Sequence, residues 1–395
     1  MKRIFGTLIA AAAAVAVSAG ATAAEPVRIG YSMAKTGLFA QGAVSQINAY
    51  ELWREQVNAQ GGLDIGGKEK RPVEFVVYDD QSDPANAVRI YEKLITDDRV
   101  DLLLGPWGTP THFAIAPVLE RLKFPMVGST AASVQLRELK PGNIWFVTPS
   151  MPDRIAQAIA DQMKAAGYKT AAVIGNQLPF ALEVKKFLQP ALEKAGIKVV
   201  AGSDYPPDIK DMTALLTSVK QANPDGVIAL SYPSDSILYM KQARELGVNA
   251  KFQFVMVGPS IDFFRKMFGA VADGIVSMGD WDPYLKNAPL AKPFYDAYVK
   301  KFNEEPDYLD SVESYVSCQI LEQAVAKAGL DKDKLRETIS TATFDTIRGP
   351  VKFDGVQNAI TPAGLLQIQG KEMHVIWPQS RATAAFKPKG PWPAN

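Results

Sequence analysis

The chain has 395 residues, 43 Lys+Arg against 42 Asp+Glu, and a formal net charge of +1 at pH 7. Without Lys2 and Arg3 the balance is 41 against 42, which supplies no long-range field for nucleic acid or an anionic membrane surface. The single cysteine, Cys318, excludes an internal disulfide framework. The only two histidines, His112 and His374, lie in unrelated contexts without ligand spacing, so no metal site is expected.

Taken in chain order, residues 1–24 read as a signal peptide. Lys2 and Arg3 precede an apolar, alanine-rich run from Ile4 to Val17, and Ala21-Thr22-Ala23-Ala24 supply the small residues of a cleavage site. The run is shorter than the roughly 20 residues a membrane span needs. No cysteine stands at the cleavage site, so the expected product is soluble, unlipidated and periplasmic. About 370 residues remain, more than one hydrophobic core usually organises, which predicts two lobes.

Short apolar runs then alternate with stretches of 3.6-residue periodicity, the pattern of a doubly wound α/β sheet, and they do so twice. The first series of strands is expected at Val27 to Ser32, Val73 to Tyr78, Val100 to Leu104, Pro125 to Gly128 and Ile144 to Val147. The second is expected at Ala171 to Ile174, Val199 to Ala201, Gly226 to Leu230, Phe252 to Val257 and Gly274 to Ser277, with helices such as Phe180 to Ala195 and Ser234 to Leu246 between them. Asn58-Ala59-Gln60-Gly61-Gly62 ends the first helix on glycines that accept a left-handed conformation. Asp83-Pro84 opens the second with a cap followed by proline, and Thr109 is the expected cap of the third.

After Ser277 the periodicity predicts long helices at Ala291 to Phe302 and Ser311 to Ala328, a shorter one at Asp331 to Ile339, and strands at Gly349 to Gly355, Leu365 to Gln369 and His374 to Trp377. From Arg381 the prolines Pro388, Pro391 and Pro393 predict an irregular surface tail. No low-complexity linker occurs, which predicts lobes that exchange segments.

Convergent reactive groups are scarce. Gly-x-Ser-x-Gly, the phosphate-binding Gly-x4-Gly-Lys-Ser/Thr loop and Gly-x-Gly-x-x-Gly are all missing, and Asp79, Asp80 and Asp83 read as a helix cap with a solvated turn. Neither catalysis nor a cofactor is expected. Parallel sheets take ligands beyond the carboxyl ends of their strands. There Trp107-Gly108-Thr109 offers helix-N-terminal amides and a hydroxyl to a small anion such as a carboxylate. Ser129-Thr130-Ala131 forms a second small, hydroxyl-rich turn on the neighbouring strand. Phe180 and Tyr232 stand at equivalent strand ends of the second series, suited to closing over an apolar ligand body.

Three segments carry a family resemblance: Thr36-Gly37-Leu38-Phe39, Val57-Asn58-Ala59-Gln60-Gly61-Gly62 and Val77-Tyr78-Asp79-Asp80-Gln81-Ser82-Asp83-Pro84. Together they resemble the leucine/isoleucine/valine-binding proteins, periplasmic receptors of hydrophobic amino acid ABC importers, over about Val27 to Trp377. The resemblance implies the type I periplasmic binding protein fold: two doubly wound α/β lobes joined by three crossovers, here near Val147-Thr148, Met278-Gly279 and Pro350-Val351. The first lobe would comprise 25–147 and 279–350, the second 148–278 and 351–380, with 381–395 as a Pro-rich tail.

Carried over by position, the hydroxyl contact for a ligand carboxylate falls on Thr109, with the loop Ser129 to Ala132 beside it. The cleft aromatics fall on Phe180 and Tyr232, and the cover on Phe39 to Gln41. The family's acidic anchor for a ligand ammonium falls where this chain reads Val257-Gly258-Pro259-Ser260, with Asp262 the nearest acid. The family's small disulfide is also missing, since Ser82 and Gly108 stand at its positions. Desolvating an ammonium without a carboxylate is costly. Aromatic acids, keto acids and short fatty acids therefore join hydrophobic amino acids as expected ligands. The implied partner is an inner-membrane ABC permease, and the implied state is a monomer. A sensory module presenting the same ligand to a chemoreceptor or histidine kinase is the alternative.

Overall fold

A computed structural model describes residues 24–139 and 142–393. The expected signal peptide, apart from Ala24, lies outside the described residues. The first sheet is built from β-branched and aromatic runs that the surrounding helices bury. Val27–Met33 pairs in parallel with Val73–Asp79 on one side and Leu102–Leu103 on the other. A parallel bridge from Leu104 to Val127 continues it into Met126–Gly128, which pairs with Ile144–Phe146. The helix Ala40–Ala59 stops where Gly62 turns back at φ +103°; a Cβ there would lie 2.3 Å from the Arg71 carbonyl oxygen, so only glycine fits.

The second sheet has eight strands. Thr170–Asn176, Gly226–Leu230, Phe252–Val255 and Val276–Met278 run parallel, and Leu365–Gln369 with Glu372–Trp377 complete the edge antiparallel. The inner strands, such as Val27–Met33 and Gly226–Leu230, are buried almost completely, as parallel strands covered on two faces must be, while the edge strand Val73–Asp79 is mostly half-buried. The C-terminal lengths return to the first lobe, where Asp310–Ala328 packs on Ala40–Ala59. Cys318 is buried in that helix as a free thiol.

One expectation needs correction. The chain does not cross at Pro350-Val351. Gly349–Asp354 forms a hairpin with Thr343–Thr346, then pairs with Gln357–Asn358, which lies parallel on Phe146 of the first sheet. The third crossing therefore lies between Asn358 and Leu365. A two-residue polar strand leaves no periodic signal, which is why the boundary was invisible. From Arg381 the described residues form no helix or strand, and this irregular stretch is seated on the second lobe: Phe386 packs 6.0 Å from the Phe252 ring and the Trp392 indole donates to the Val248 carbonyl at 2.8 Å.

The crossings converge on one side chain. Arg348, only 1% exposed, lies 3.1 Å from Asp280 Oδ2 and 3.2 Å from Glu313 Oε1, and it donates to the Val147 carbonyl at 2.9 Å. Val147 belongs to the first crossing and Asp280 to the second. Asn358, at the third, also donates to the Val147 carbonyl at 3.0 Å. Arg381 closes the cluster, donating to the carbonyls of Asp280 and Arg348, each at 3.2 Å.

Removing one member of a buried ion cluster leaves its partners uncompensated. Arg348→Met should therefore cost about 3–5 kcal/mol at neutral pH, measured by urea or thermal denaturation; a loss under about 1 kcal/mol would mean that the cluster is more hydrated than its burial indicates.

Candidate ligand-binding site

The strand Leu102–Leu103 delivers the chain to the loop before helix Thr109–Leu122, and Met126–Gly128 delivers it to the loop before Val134–Leu139. The helix cap is Gly108 and not Thr109: Gly108 sits at φ +84°, a conformation a β-carbon disfavours, which leaves Thr109 as the first helical residue. Its hydroxyl is turned to the neighbouring loop. Thr109 Oγ1 accepts from the Ala132 amide at 3.2 Å and lies 3.3 Å from the Ala132 carbonyl, while the Gly108 amide donates to Thr130 Oγ1 at 3.0 Å. These bonds lock the two turns edge to edge. The first helical turn keeps amides without intrahelical acceptors, the usual setting for an anion.

Opposite these turns the second lobe brings Phe180, in the first turn of the helix Pro179–Lys194, and Tyr232, and a cavity opens between the lobes. Seven of the ten expected site residues line it: Trp107, Gly108, Thr109, Thr130, Ala131, Phe180 and Tyr232. The lobes touch across its mouth. Trp107 and Tyr232 rings lie 6.5 Å apart, and the Val134 amide donates to Glu183 Oε1 at 3.0 Å.

Three expected residues do not line the cavity. Phe39 packs on the Trp107 ring at 5.0 Å and faces a separate, smaller pocket at the mouth. Ser129 is fully buried beneath the turn, held by Gln46 Nε2 at 2.9 Å and beside the Tyr50 hydroxyl. Ser260 is drawn into a lobe-to-lobe seam, where its carbonyl accepts from the Tyr308 amide at 3.2 Å. Asp262 is also elsewhere: it pairs with Lys266 at 2.6 Å and borders a different surface pocket. Ser32 and Lys35 have Ser-x-x-Lys spacing, but Ser32 Oγ donates to Asp80 at 2.6 Å inside the fold and is held there as a structural contact.

Sequence reasoning missed Asp310 and Glu313, which complete the wall from the helix Asp310–Ala328. The available signal was a pair of acids at i and i+3 in a helix buried along most of its first three turns. The Trp107 indole donates to Asp310 Oδ2 at 2.8 Å, so the aromatic of one turn and the acid of a distant helix position each other.

The model of one family, periplasmic binding protein, matches residues 26–372. The chain belongs to that family. A Leu/Ile/Val-binding protein homolog of Brucella melitensis is 24% identical over 96% of this chain and 98% of its own length. An ABC transporter solute-binding protein of R. palustris, solved with benzoate, superposes with a TM-score of 0.79 at 21% identity, over 91% of this chain and 98% of that one. The branched-chain amino acid transporter substrate-binding protein of Streptococcus pneumoniae, solved with isoleucine, gives 0.80 at 19% identity, over 88% and 98%. The type I fold with two α/β lobes is thus shared with both solved structures.

In this periplasmic binding protein the site is electrostatically unusual. Burial pushes Glu313 up to about 8 against the pull of the Arg348 guanidinium. Burial and the neighbouring Asp307 charge hold Asp310 well above the carboxylate range. Burial lowers His112, beneath the Gly108 turn, to about 4. Among the described residues, no group of three or more His, Cys, Asp or Glu could hold a metal ion.

A carboxyl raised in the folded state binds more protons there than in the unfolded chain, so its contribution is full at low pH and lost as pH rises through the folded value. The refolded, ligand-free protein should lose stability between about pH 5 and pH 8, at up to about 1.4 kcal/mol per unit for each such group. Thermal melts across that window test this, and Glu313→Gln should flatten the slope; a variant slope equal to wild type would remove Glu313 as its source.

Proposed function

We propose that this protein is the periplasmic solute-binding receptor of an ABC importer. It captures a small carboxylate with an apolar body between its lobes and delivers it to an inner-membrane permease, residues 1–24 serving as the export signal. The observation that carries this role is the pairing of two clamped turns, Gly108-Thr109 and Thr130-Ala131-Ala132, with Phe180 and Tyr232 around one interlobe cavity. One side offers amides and hydroxyls suited to a carboxylate, the other apolar faces suited to a hydrocarbon body. Benzoate and isoleucine, held by the two solved relatives, share this chemistry of a carboxylate on an apolar group. Periplasmic binding proteins are a standing example of hinge closure on a ligand.

A thermal shift screen of refolded, ligand-free protein against leucine, its keto acid, 4-hydroxybenzoate and octanoate tests the role, since a ligand at a hundredfold its Kd adds about 2.7 kcal/mol. At least one should stabilise. Thr109→Ala should weaken the best of them by about 1–3 kcal/mol, because the hydroxyl that orders the Ala132 turn is lost beneath a buried anion. Unchanged affinity would remove Thr109 from the site, and stabilisation by none would sink the carboxylate receptor.

A further inference from the structure

The cavity wall formed by the helix Asp310–Ala328 has more acceptors than donors. Glu313 is 2% exposed; Oε1 takes Arg348 at 3.2 Å, but Oε2 has no hydrogen-bond partner, and the Thr148 hydroxyl stands beside Glu313 without reaching bonding geometry on that oxygen. Asp310 is 4% exposed and takes the Trp107 indole on Oδ2. Buried carboxylate oxygens are normally satisfied, and an exception facing a cavity points to a donor that arrives with the ligand.

The surrounding charges say which donor. Asp280 and Asp307 are buried beside this wall, and two guanidiniums, Arg348 and Arg381, serve the cluster. Arg348 is shared between Asp280 and Glu313, Arg381 leans on Asp280 at 3.6 Å, and Arg265, which lies towards Asp307, is paired with Glu305 at 2.8 Å. Were all four acids ionised the region would be short of cations, and a ligand carrying only a carboxylate would supply none. A ligand that also carries a cation offsets both deficits.

We propose that Asp310 and Glu313 form a second recognition pole that takes the protonated amine of a zwitterionic ligand, whose carboxylate lies at the Thr109–Ala132 turns; this presupposes the receptor role above. The bond from Trp107 to Asp310 joins the two poles, because Trp107 is continuous with the Gly108-Thr109 turn. The acid pole lies on the first lobe, in the same cavity as Val257 but not on the Val257-Gly258-Pro259-Ser260 segment where the family resemblance places it, and Asp262 has no part in it.

The test is calorimetry on the refolded full chain with leucine and phenylalanine against their deaminated counterparts, 4-methylpentanoate and 3-phenylpropanoate. Wild type should bind at least one amino acid about tenfold or more tightly than its deaminated counterpart, the size of one charge-assisted hydrogen bond. Glu313→Gln and Asp310→Asn should erase that preference, bringing the affinities for the amino acid and its deaminated counterpart together. A wild type that prefers the deaminated acids, or a Glu313→Gln variant with the wild-type preference, overturns the acid pole and leaves the carboxylate receptor standing. Binding of none of the four overturns the acid pole, and the receptor role then stands or falls on 4-hydroxybenzoate and octanoate in the thermal shift screen. Should the variants not fold, the wild type decides alone. Capture of an amine requires ionised acids, so amino acid binding at pH 7 should release protons, measured in buffers of differing ionisation enthalpy; no release, or uptake, overturns the proposal.

Discussion

The guanidinium of Arg348 is the constraint on which the rest of this molecule depends. It contacts Asp280 and the Val147 carbonyl, and so spans two of the three crossings, while Asn358 ties the third to the same carbonyl. A charge this deeply buried is tolerated only with paired, hydrogen-bonded partners. Its second carboxylate partner is Glu313, which also faces the interlobe cavity. The hinge and one wall of the binding site thus share a residue, and whatever changes the charge of Glu313 is felt at the joint between the lobes.

The opposite wall is positioned by ordinary backbone chemistry. Two parallel strands end side by side and hand the chain to two turns, and the turns brace each other through Thr109, Thr130 and the Ala132 amide. The left-handed Gly108 lets the helix begin one residue earlier than a threonine cap would allow, which frees the Thr109 hydroxyl for this brace. Rigid turns at a sheet edge suit a small rigid group, and Phe180 and Tyr232 face them from the other lobe. In the proposed receptor, affinity would rest on how well the second lobe closes over a carboxylate held at these turns.

Much of the first wall was legible. Glycine beside threonine after an apolar strand, repeated one strand later as Gly128-Ser129-Thr130, identified the turns because their φ requirements and hydroxyls are local properties. Five residues on these turns, Trp107, Gly108, Thr109, Thr130 and Ala131, meet at the cavity, where Phe180 and Tyr232 join them from the second lobe. Ser129 and Phe39 were misplaced for a reason of direction: the alternation along a turn decides which side chain points outward, and nothing in the composition reports it. Ser260 and Asp262 failed differently, since Arg265 and Lys266 on the adjacent helical turn hold them elsewhere through contacts set by packing.

The amino-acid sequence alone determined the α/β alternation in two series, the absence of a linker, the helix boundaries with strong caps, and the carboxylate turn, because periodicity, capping and left-handed glycine are encoded within a few residues. Only the tertiary structure decided the acidic wall, the ion cluster and the third crossing. Asp310 stands about 200 positions from Trp107, and Arg348 as far from Val147; such partners are brought together by the return of the chain across both lobes, and no local pattern reports the pairing of residues whose separation is set by the fold. The charge of the site, and with it the class of ligand it favours, is therefore a property of the assembled lobes.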